Sequence, residues 1–306
     1  MINAPVALFV YNRPLHTRRT LMSLSNCSKA GDTDLFIFCD GLKAGASLQD
    51  KNAVEEVRQV VREKKWCRNI EIIESPVNKG LSRSVIAGVT DIVNRFGKII
   101  VLEDDMEVSP YFLKYMNEGL TLYENDEKVI SLTGYCWPVK EELPETFFLM
   151  GTYCWGWATW KRGWDLFEAD GRKLLQQLEE RKLTTLFDFD NSHFYTSMLR
   201  DQVEGRNDSW ALPWYAIAFL KNKLTLIPGR SLVHNTGIDG TGVHSGESNE
   251  WKVTLSINPV EVNRIPVSDS LQGRQAVTSF FRSMKRNSFS ERLKRKIRNL
   301  FPLNHK

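Results

Sequence analysis

The sequence predicts an α/β fold, a mainly parallel central sheet flanked by helices, with an aromatic-rich second lobe packed onto it. Three observations predict it. Through the first half of the chain, short apolar runs alternate with segments whose apolar residues recur at helical spacing, the pattern of successive βαβ units. Several of those runs end directly in polar residues: Tyr11-Asn12-Arg13, Asp40-Gly41, Ser75 to Gly80, and Glu103-Asp104-Asp105. Ligands of parallel sheets sit beyond the carboxyl ends of the strands. From about Gly134 the composition changes, and seven of the nine tryptophans fall between 137 and 214.

In chain order, Val6–Val10 reads as a buried strand and His16–Ser25 as a short helix. Asp34–Cys39 (DLFIFC) is a second strand, followed by a Gly-rich loop over 40–47 and a helix near Leu48–Lys64. Asn69–Glu74 is a third strand. Val85, Val89, Ile92 and Val93 give Leu81–Phe96 helical spacing. Lys98–Leu102 is a fourth strand, and a helix near Pro110–Glu124 and a strand Val129–Leu132 continue the series. The second lobe ends in a strand, Leu224–Ile227, and a Gly/His-rich loop, NTGIDGTGVHSG, at 235–246. In SERLKRKIRNL, residues 290–300, Leu293, Ile297 and Leu300 share one helical face among basic residues. The expected organisation is a first half over 1–133, a second half of the same domain over 134–281, and a basic amphipathic tail over 282–306.

A chain of 306 residues with 42% hydrophobic, 25% charged and 11% aromatic residues can bury a sizeable core, which excludes disordered and collagenous classes. The net charge of +4 is unevenly spread: nine Lys/Arg against one Glu lie between Arg282 and Lys306, so the body is mildly acidic. Nucleic-acid binding by that body is not expected. Five cysteines with no close C-x-x-C pair suggest neither a disulfide framework nor a zinc ribbon. The N-terminal apolar run is too short for a signal peptide, and no run approaches 18 apolar residues. A cytoplasmic protein is expected, at most peripheral on the inner face of the cell membrane.

The segment IIVLEDDMEVSPYFL carries the most chemistry. An apolar strand ends in three consecutive carboxylates, whose burial costs several kcal/mol each unless a cation or hydrogen bonds compensate. Oxygen ligands of this kind suit Mg²⁺ or Mn²⁺, which take one or two protein carboxylates and complete their shell with water and phosphates. The alternative is a solvated loop whose acids favour the next helix N-terminus. Gly80, in Asn78-Lys79-Gly80-Leu81-Ser82-Arg83, lets the chain turn sharply into a helix whose first amides favour anions. In GTYCWGWATW, residues 151–160, aromatic faces suit sugar C–H surfaces, although tryptophans also fill cores.

The order of a strand with Asp40, then Asn78-x-Gly80 leading into a helix, then a strand with Glu103-Asp104-Asp105, resembles the GT-A fold of nucleotide-sugar-dependent glycosyltransferases, family 2-like enzymes above all. The Glu-Asp-Asp spelling is also similar to the N-acetylglucosaminyltransferase I type. The resemblance spans residues 4 to about 246. It implies that Asp40 bonds the nucleotide base, that Tyr11 and Arg13 line the same pocket, and that Arg83 contacts the nucleotide, with a surface arginine as the rival reading. It assigns the metal to Asp105, the ribose or the metal's surroundings to Asp104, and the donor sugar to Glu103. Trp155 and Trp157 match an aromatic element lining the acceptor side. Asp208 falls where the catalytic base of an inverting enzyme stands; Asp201 and Glu204 are rivals and a helix cap the alternative. His244 falls where a late histidine approaches the metal or diphosphate. The implied protein is a metal-dependent glycosyltransferase, using Mn²⁺ or Mg²⁺ and a nucleotide-sugar donor, expected to be a UDP-sugar. Its acceptor would be a saccharide or lipid-linked saccharide of bacterial surface polysaccharide synthesis. A sugar nucleotidyltransferase should carry G-x-G-x-R after the first strand, where this chain has Val10-Tyr11-Asn12-Arg13-Pro14. A non-catalytic carbohydrate-binding protein is the other alternative. The basic tail is expected to touch anionic membrane.

Overall fold

The computed structural model describes residues 3–239 and 249–300, with side chains to residue 286. Five apolar residues, all buried, make β1 (Val6–Val10). Pro14, with its φ preset for a helical first turn, opens α1 (Pro14–Ser25). After a 3-10 turn at Ala30–Asp32 come β2 (Asp34–Cys39) and α2 (Leu48–Val60), the helix capped by the Ser47 side chain, which accepts from the Asp50 amide. β3 (Asn69–Glu74) precedes α3 (Leu81–Phe96), which buries Val85, Val89, Ile92 and Val93 and stops at Gly97 in the left-handed conformation. β4 (Lys98–Glu103), β5 (Met106–Val108), α4 (Phe112–Leu122) and β6 (Val129–Thr133) follow.

The second half adds β7 (Thr146–Met150), β8 (Trp157–Trp160), α5 (Lys161–Trp164), α6 (Gly171–Glu180), α7 (Thr184–Phe187), α8 (Tyr195–Val203) and α9 (Ala211–Leu220). β9 (Leu224–Pro228), β10 (Val233–Asn235) and α10 (Leu271–Leu300) complete it.

Eight strands form one sheet in the order β3-β2-β1-β4-β8-β6-β9-β7, and β5 pairs β10 in a two-stranded ribbon. β1, β2, β3 and β4 are parallel to one another; β8 runs against β4 and β6, β9 runs with β6, and β7 against β9. The sheet is therefore mainly parallel, as the sequence predicts, with two reversed strands contributed by the second half.

Those reversed strands are where sequence and structure part. Trp157–Trp160 is a central strand rather than a surface element, because its four residues alternate between two covered faces and all are buried. The basic tail expected from 282 is the continuation of a helix that begins at Leu271 and packs on the body through Val277, Phe280 and Phe281. Among the described residues no helix is long and apolar enough to cross a membrane.

Candidate active site

The parallel pairing of β1 with β4 sets Phe9 opposite Glu103, so the residues that follow each strand emerge side by side. Arg13, from the β1 end, reaches across to the β4 end. Its Nη2 bonds Asp104 Oδ1 and, at 2.9 Å, Asp105 Oδ2. The Asp104 backbone carbonyl accepts from Thr20 Oγ1 at 2.7 Å, fixing the turn to α1.

Asp104 and Asp105 are buried, and Glu103 keeps part of its surface open. Burial, then the neighbouring Asp105 and Asp104, pushes the Glu103 acid up to about 8, against the opposing pull of Arg13. Burial also pushes Asp104 up to about 6, although Arg13 pulls it down. One guanidinium thus serves three carboxyl groups, and the cluster lacks positive charge. Two buried atoms in it have no hydrogen-bond partner, Asp105 Oδ1 and Arg13 Nη1. An unpartnered buried carboxylate oxygen at a strand end fits a hard cation that takes one or two protein oxygens and the rest from water or phosphate. No fully protein-built group of three or more His, Cys, Asp or Glu side chains suited to a metal occurs among the described residues.

The chain after β10 lies directly on this cluster. Thr236 donates its amide to the Asp105 carbonyl at 2.8 Å, and a Cβ on Gly237 would stand 2.1 Å from Asp105 Oδ2 and 2.9 Å from Arg13 Nη1. Only glycine allows that approach. Two residues on, Asp239 meets His16 Nε2 at 3.1 Å, so the 235–239 segment is tied to α1 beside the carboxylates. His244 lies outside the described residues.

Beside this centre, Asp40 is placed differently from the expectation of a base contact. Its Oδ1 accepts from the amides of Gly41 at 2.9 Å and Lys79 at 2.8 Å, and its Oδ2 from Asn78 Nδ2 at 3.0 Å and the Gly80 amide at 2.9 Å. Four donors occupy both oxygens. Asp40 therefore holds the β2 end to the 78–80 turn, and direct contact with a base would have to displace one of these bonds. Asn78 also donates to the Gly41 carbonyl at 2.9 Å. Gly80 takes φ 78°, which favours glycine, and starts α3. Arg83 stands exposed in the first turn of that helix, with no partner among the described residues. Tyr11 is half-buried, its phenol raised by burial, with Lys43 Nζ 6.0 Å from the ring centroid. Asn12 donates to Asp50 at 3.2 Å.

On the other flank, Trp155 and Trp157 separate. Trp155 is half-buried and meets Tyr135 and Trp251 edge-on at 4.5 and 5.5 Å. Trp157 is 1% exposed, packed against Trp164, Trp210 and Trp214. That burial removes it from any acceptor surface, so the expectation for Trp157 is corrected to a core role. Cys154, next to Trp155, has its thiol pushed well up by burial and then by the charge of Glu103.

Asp208 is exposed in the connection between α8 and α9. No side chain caps α9, which disfavours a capping role for it. The two rivals of Asp208, Asp201 and Glu204, both pair with Arg206. Trp210 stacks at 5.4 Å on Trp157, and Trp157 lies opposite Val101 near the carboxyl end of β4. That stack anchors the start of α9 over β8, and Asn207 ties the loop before it to the Met198 carbonyl of α8. His16, tied to Asp239, and Trp251, against Trp155, join the candidate site without having been singled out by sequence; neither sits in a motif, and only the fold brings them in.

The model of the GNT-I family matches residues 89–146, a stretch that contains the carboxylate turn and the strands either side of it. No curated protein sequence matches the chain. Among solved structures, a mannosyltransferase from Pyrobaculum calidifontis in complex with GDP-Man and Mn²⁺ is 9% identical over 72% of this chain and 69% of its own, with a TM-score of 0.38. A UDP-glucose pyrophosphorylase complexed with UDP-glucose is 13% identical over 74% and 90%, with a TM-score of 0.36. A putative nucleotide-diphospho-sugar transferase from Desulfovibrio desulfuricans is 10% identical over 55% and 68%, with a TM-score of 0.31. The mainly parallel sheet carries Glu103, Asp104 and Asp105 at the end of β4, and the stretch around them, residues 89–146, is similar to the GNT-I family.

Proposed function

We propose that the protein is a divalent-metal-dependent glycosyltransferase that moves a hexosyl or N-acetylhexosaminyl group from a UDP-sugar to a saccharide or lipid-linked saccharide. Bacterial surface polysaccharide synthesis is the setting we infer for it. The observation that carries the reading is the Glu103-Asp104-Asp105 turn, with one guanidinium for three carboxyl groups and Asp105 Oδ1 left unpartnered. Asp105 would hold Mn²⁺ or Mg²⁺, with His244 a candidate to join it. When bound, that ion supplies positive charge to the diphosphate leaving group.

The remaining roles belong to the chain. Residues 1–133 bind the donor: Tyr11 and Arg13 line its pocket, Asp40 and Asn78 hold the Gly80 turn, and the first turn of α3 with Arg83 offers donors to the anionic nucleotide. Asp104 faces the ribose and Glu103 the donor sugar. Residues 134–281 take the acceptor, with Trp155 as an aromatic wall. Asp208 accepts the proton of the acceptor hydroxyl as that oxygen attacks the anomeric carbon with inversion. In the nucleotidyltransferase alternative, pyrophosphate rather than a nucleoside diphosphate would leave.

Thermal unfolding with a panel of nucleoside diphosphates, with and without Mn²⁺, tests the proposal. Uridine diphosphate with Mn²⁺ should raise the Tm, and Asp105→Ala should lose the metal-dependent part of the rise. A chain whose Tm responds to no nucleoside diphosphate in either condition would rule the proposal out.

A further inference from the structure

The loop over 188–194 and the start of α8 form a surface that the site above does not use. Phe189, Asp190 and Asn191 all take positive φ, at 51°, 55° and 58°, a run that costs non-glycine residues energy unless neighbours hold it. α10 is what holds it. Arg274 donates to the Leu186 carbonyl at 2.6 Å and lies over the Phe189 ring, and Lys285 donates to the Asn191 carbonyl. Phe281 packs on His193 with centroids 4.4 Å apart.

Two large apolar side chains nevertheless remain in solvent beside this joint, Phe194 at 57% and Met198 at 40% exposure, one helical turn apart. Lys285 Nζ sits 4.0 Å above the Phe194 ring. At the other end of the same strip, Asn207 donates to the Met198 carbonyl at 3.1 Å, so the Asp208 loop adjoins it. Beyond Lys285 the helix continues to Leu300. Its sequence there spaces Phe289, Leu293, Ile297 and Leu300 by four, four and three residues. Eight Lys/Arg against one Glu lie between 282 and 300.

We propose that the α8–α10 face docks on an anionic lipid bilayer, with Phe194 and Met198 entering the interface beside the basic helix and the Asp208 side of the molecule turned toward a membrane-borne acceptor. Two features select that partner. Dense positive charge with an apolar stripe is what an anionic interface attracts and buries. The body carries only a mild net negative charge, 32 basic against 36 acidic side chains over residues 1–281, whereas an anionic bilayer presents its charge across the whole face. The docking deepens the proposed function by making the acceptor lipid-linked, and it rests on that reading for the identity of the site it orients.

The full chain should co-sediment at low salt with phosphatidylcholine vesicles containing phosphatidylglycerol and not with phosphatidylcholine alone. Arg292→Glu combined with Lys296→Glu should weaken that binding at least tenfold, and Phe194→Ser combined with Met198→Ser severalfold. An environment-sensitive fluorophore on Met198→Cys should shift to the blue on the anionic vesicles, measured against a mock-labelled wild-type chain. Equal binding to neutral vesicles, no binding to either, an unshifted fluorophore, or vesicle-independent dimers in sedimentation velocity would each overturn the docking. The Tm response of the same variants to uridine diphosphate and Mn²⁺ separates the two proposals. Normal response with no docking removes this inference alone, and docking with no response removes only the enzymatic reading.

Discussion

Asp40 and Gly237 show how single residues shape the carboxylate centre without belonging to it. Asp40 accepts four bonds, two of them from the backbone amides that start the 78–80 turn. Asp40→Ala would leave buried donors unpaired, at about 1–3 kcal/mol each by the usual cost, and would loosen the entry to α3. We expect a lower Tm together with weaker nucleotide binding, and a variant with unchanged Tm would contradict the role. Gly237→Ala acts more locally. Its Cβ would collide with Asp105 Oδ2 and crowd Arg13 Nη1, so the carboxylate must turn or the 235–239 segment must lift. Metal-dependent donor binding should fall at least tenfold while stability changes by about 1 kcal/mol. Calorimetric titration of Mn²⁺ and uridine diphosphate into the variant checks this, and wild-type affinity would count against the close packing. Asp208→Asn should lower kcat by two or more orders of magnitude with donor affinity preserved, since the donor binds before a proton need move. Near-normal kcat in a stable variant would remove Asp208 as the base.

At the scale of elements, the two tryptophans of one motif separate by where their strand begins. Trp155 precedes β8 and stays half-exposed, whereas Trp157 is the first residue of β8 and enters the core. Trp157→Ala should cost about 3–5 kcal/mol in chemical denaturation. Trp155→Ala should leave stability nearly unchanged and raise the acceptor KM. The reverse ranking would refute the assignment. The same comparison explains what the sequence made legible. β1 to β4 are recognisable because each is a short apolar run bounded by turn residues and followed by helical spacing. β8 carries its apolarity as tryptophans, which serve surfaces and cores alike, so only its pairing with β4 and β6 decides. Asp40 is similar: the residue is conspicuous at a strand end, but two of the three backbone amides that occupy it come from some forty positions away. The carboxylates of β4 were readable because the whole cluster lies in consecutive residues.

The 188–194 loop supplies a test of how α10 is held. Burial, and then the charge of Lys285, pushes His193 down to about 4 from an ordinary value near 6.5, and its Nδ1 is buried without a partner. The folded protein therefore keeps this ring neutral where the unfolded chain would protonate it. The sign follows: above about pH 6.5 the group costs nothing, and as pH falls from there toward 4 the unfolded state gains protons that the folded state refuses, removing about 3 kcal/mol of stability. His193→Phe should flatten the decline of stability between pH 6.5 and 4, because an uncharged ring keeps its packing on Tyr195 and Phe281. Denaturation series at several pH values measure it, and parallel curves for the two proteins would place the ring outside the core.

For the whole molecule, the decisive feature is that the two halves of the sequence share one sheet. β4, last strand of the parallel block, is covered on its far edge by β8 from residues 157–160, and β6 lies between β8 and β9, both from the second half. A fragment ending at residue 133 would expose the edge of β4, a strand whose central residues are fully buried, and strand edges of that kind template association. It would also leave β6 without either neighbour and uncover the face of α4 that packs under it. The fragment should aggregate or remain unfolded, even though it contains every strand end of the donor pocket. In the intact chain, by contrast, loss of near-ultraviolet and far-ultraviolet circular dichroism should coincide in one transition, because no cut through the sheet separates two complete cores. Two resolved transitions, or a soluble 1–133 fragment with native-like dispersion that binds uridine diphosphate, would mean that the nucleotide half is a unit to which the aromatic lobe is merely attached.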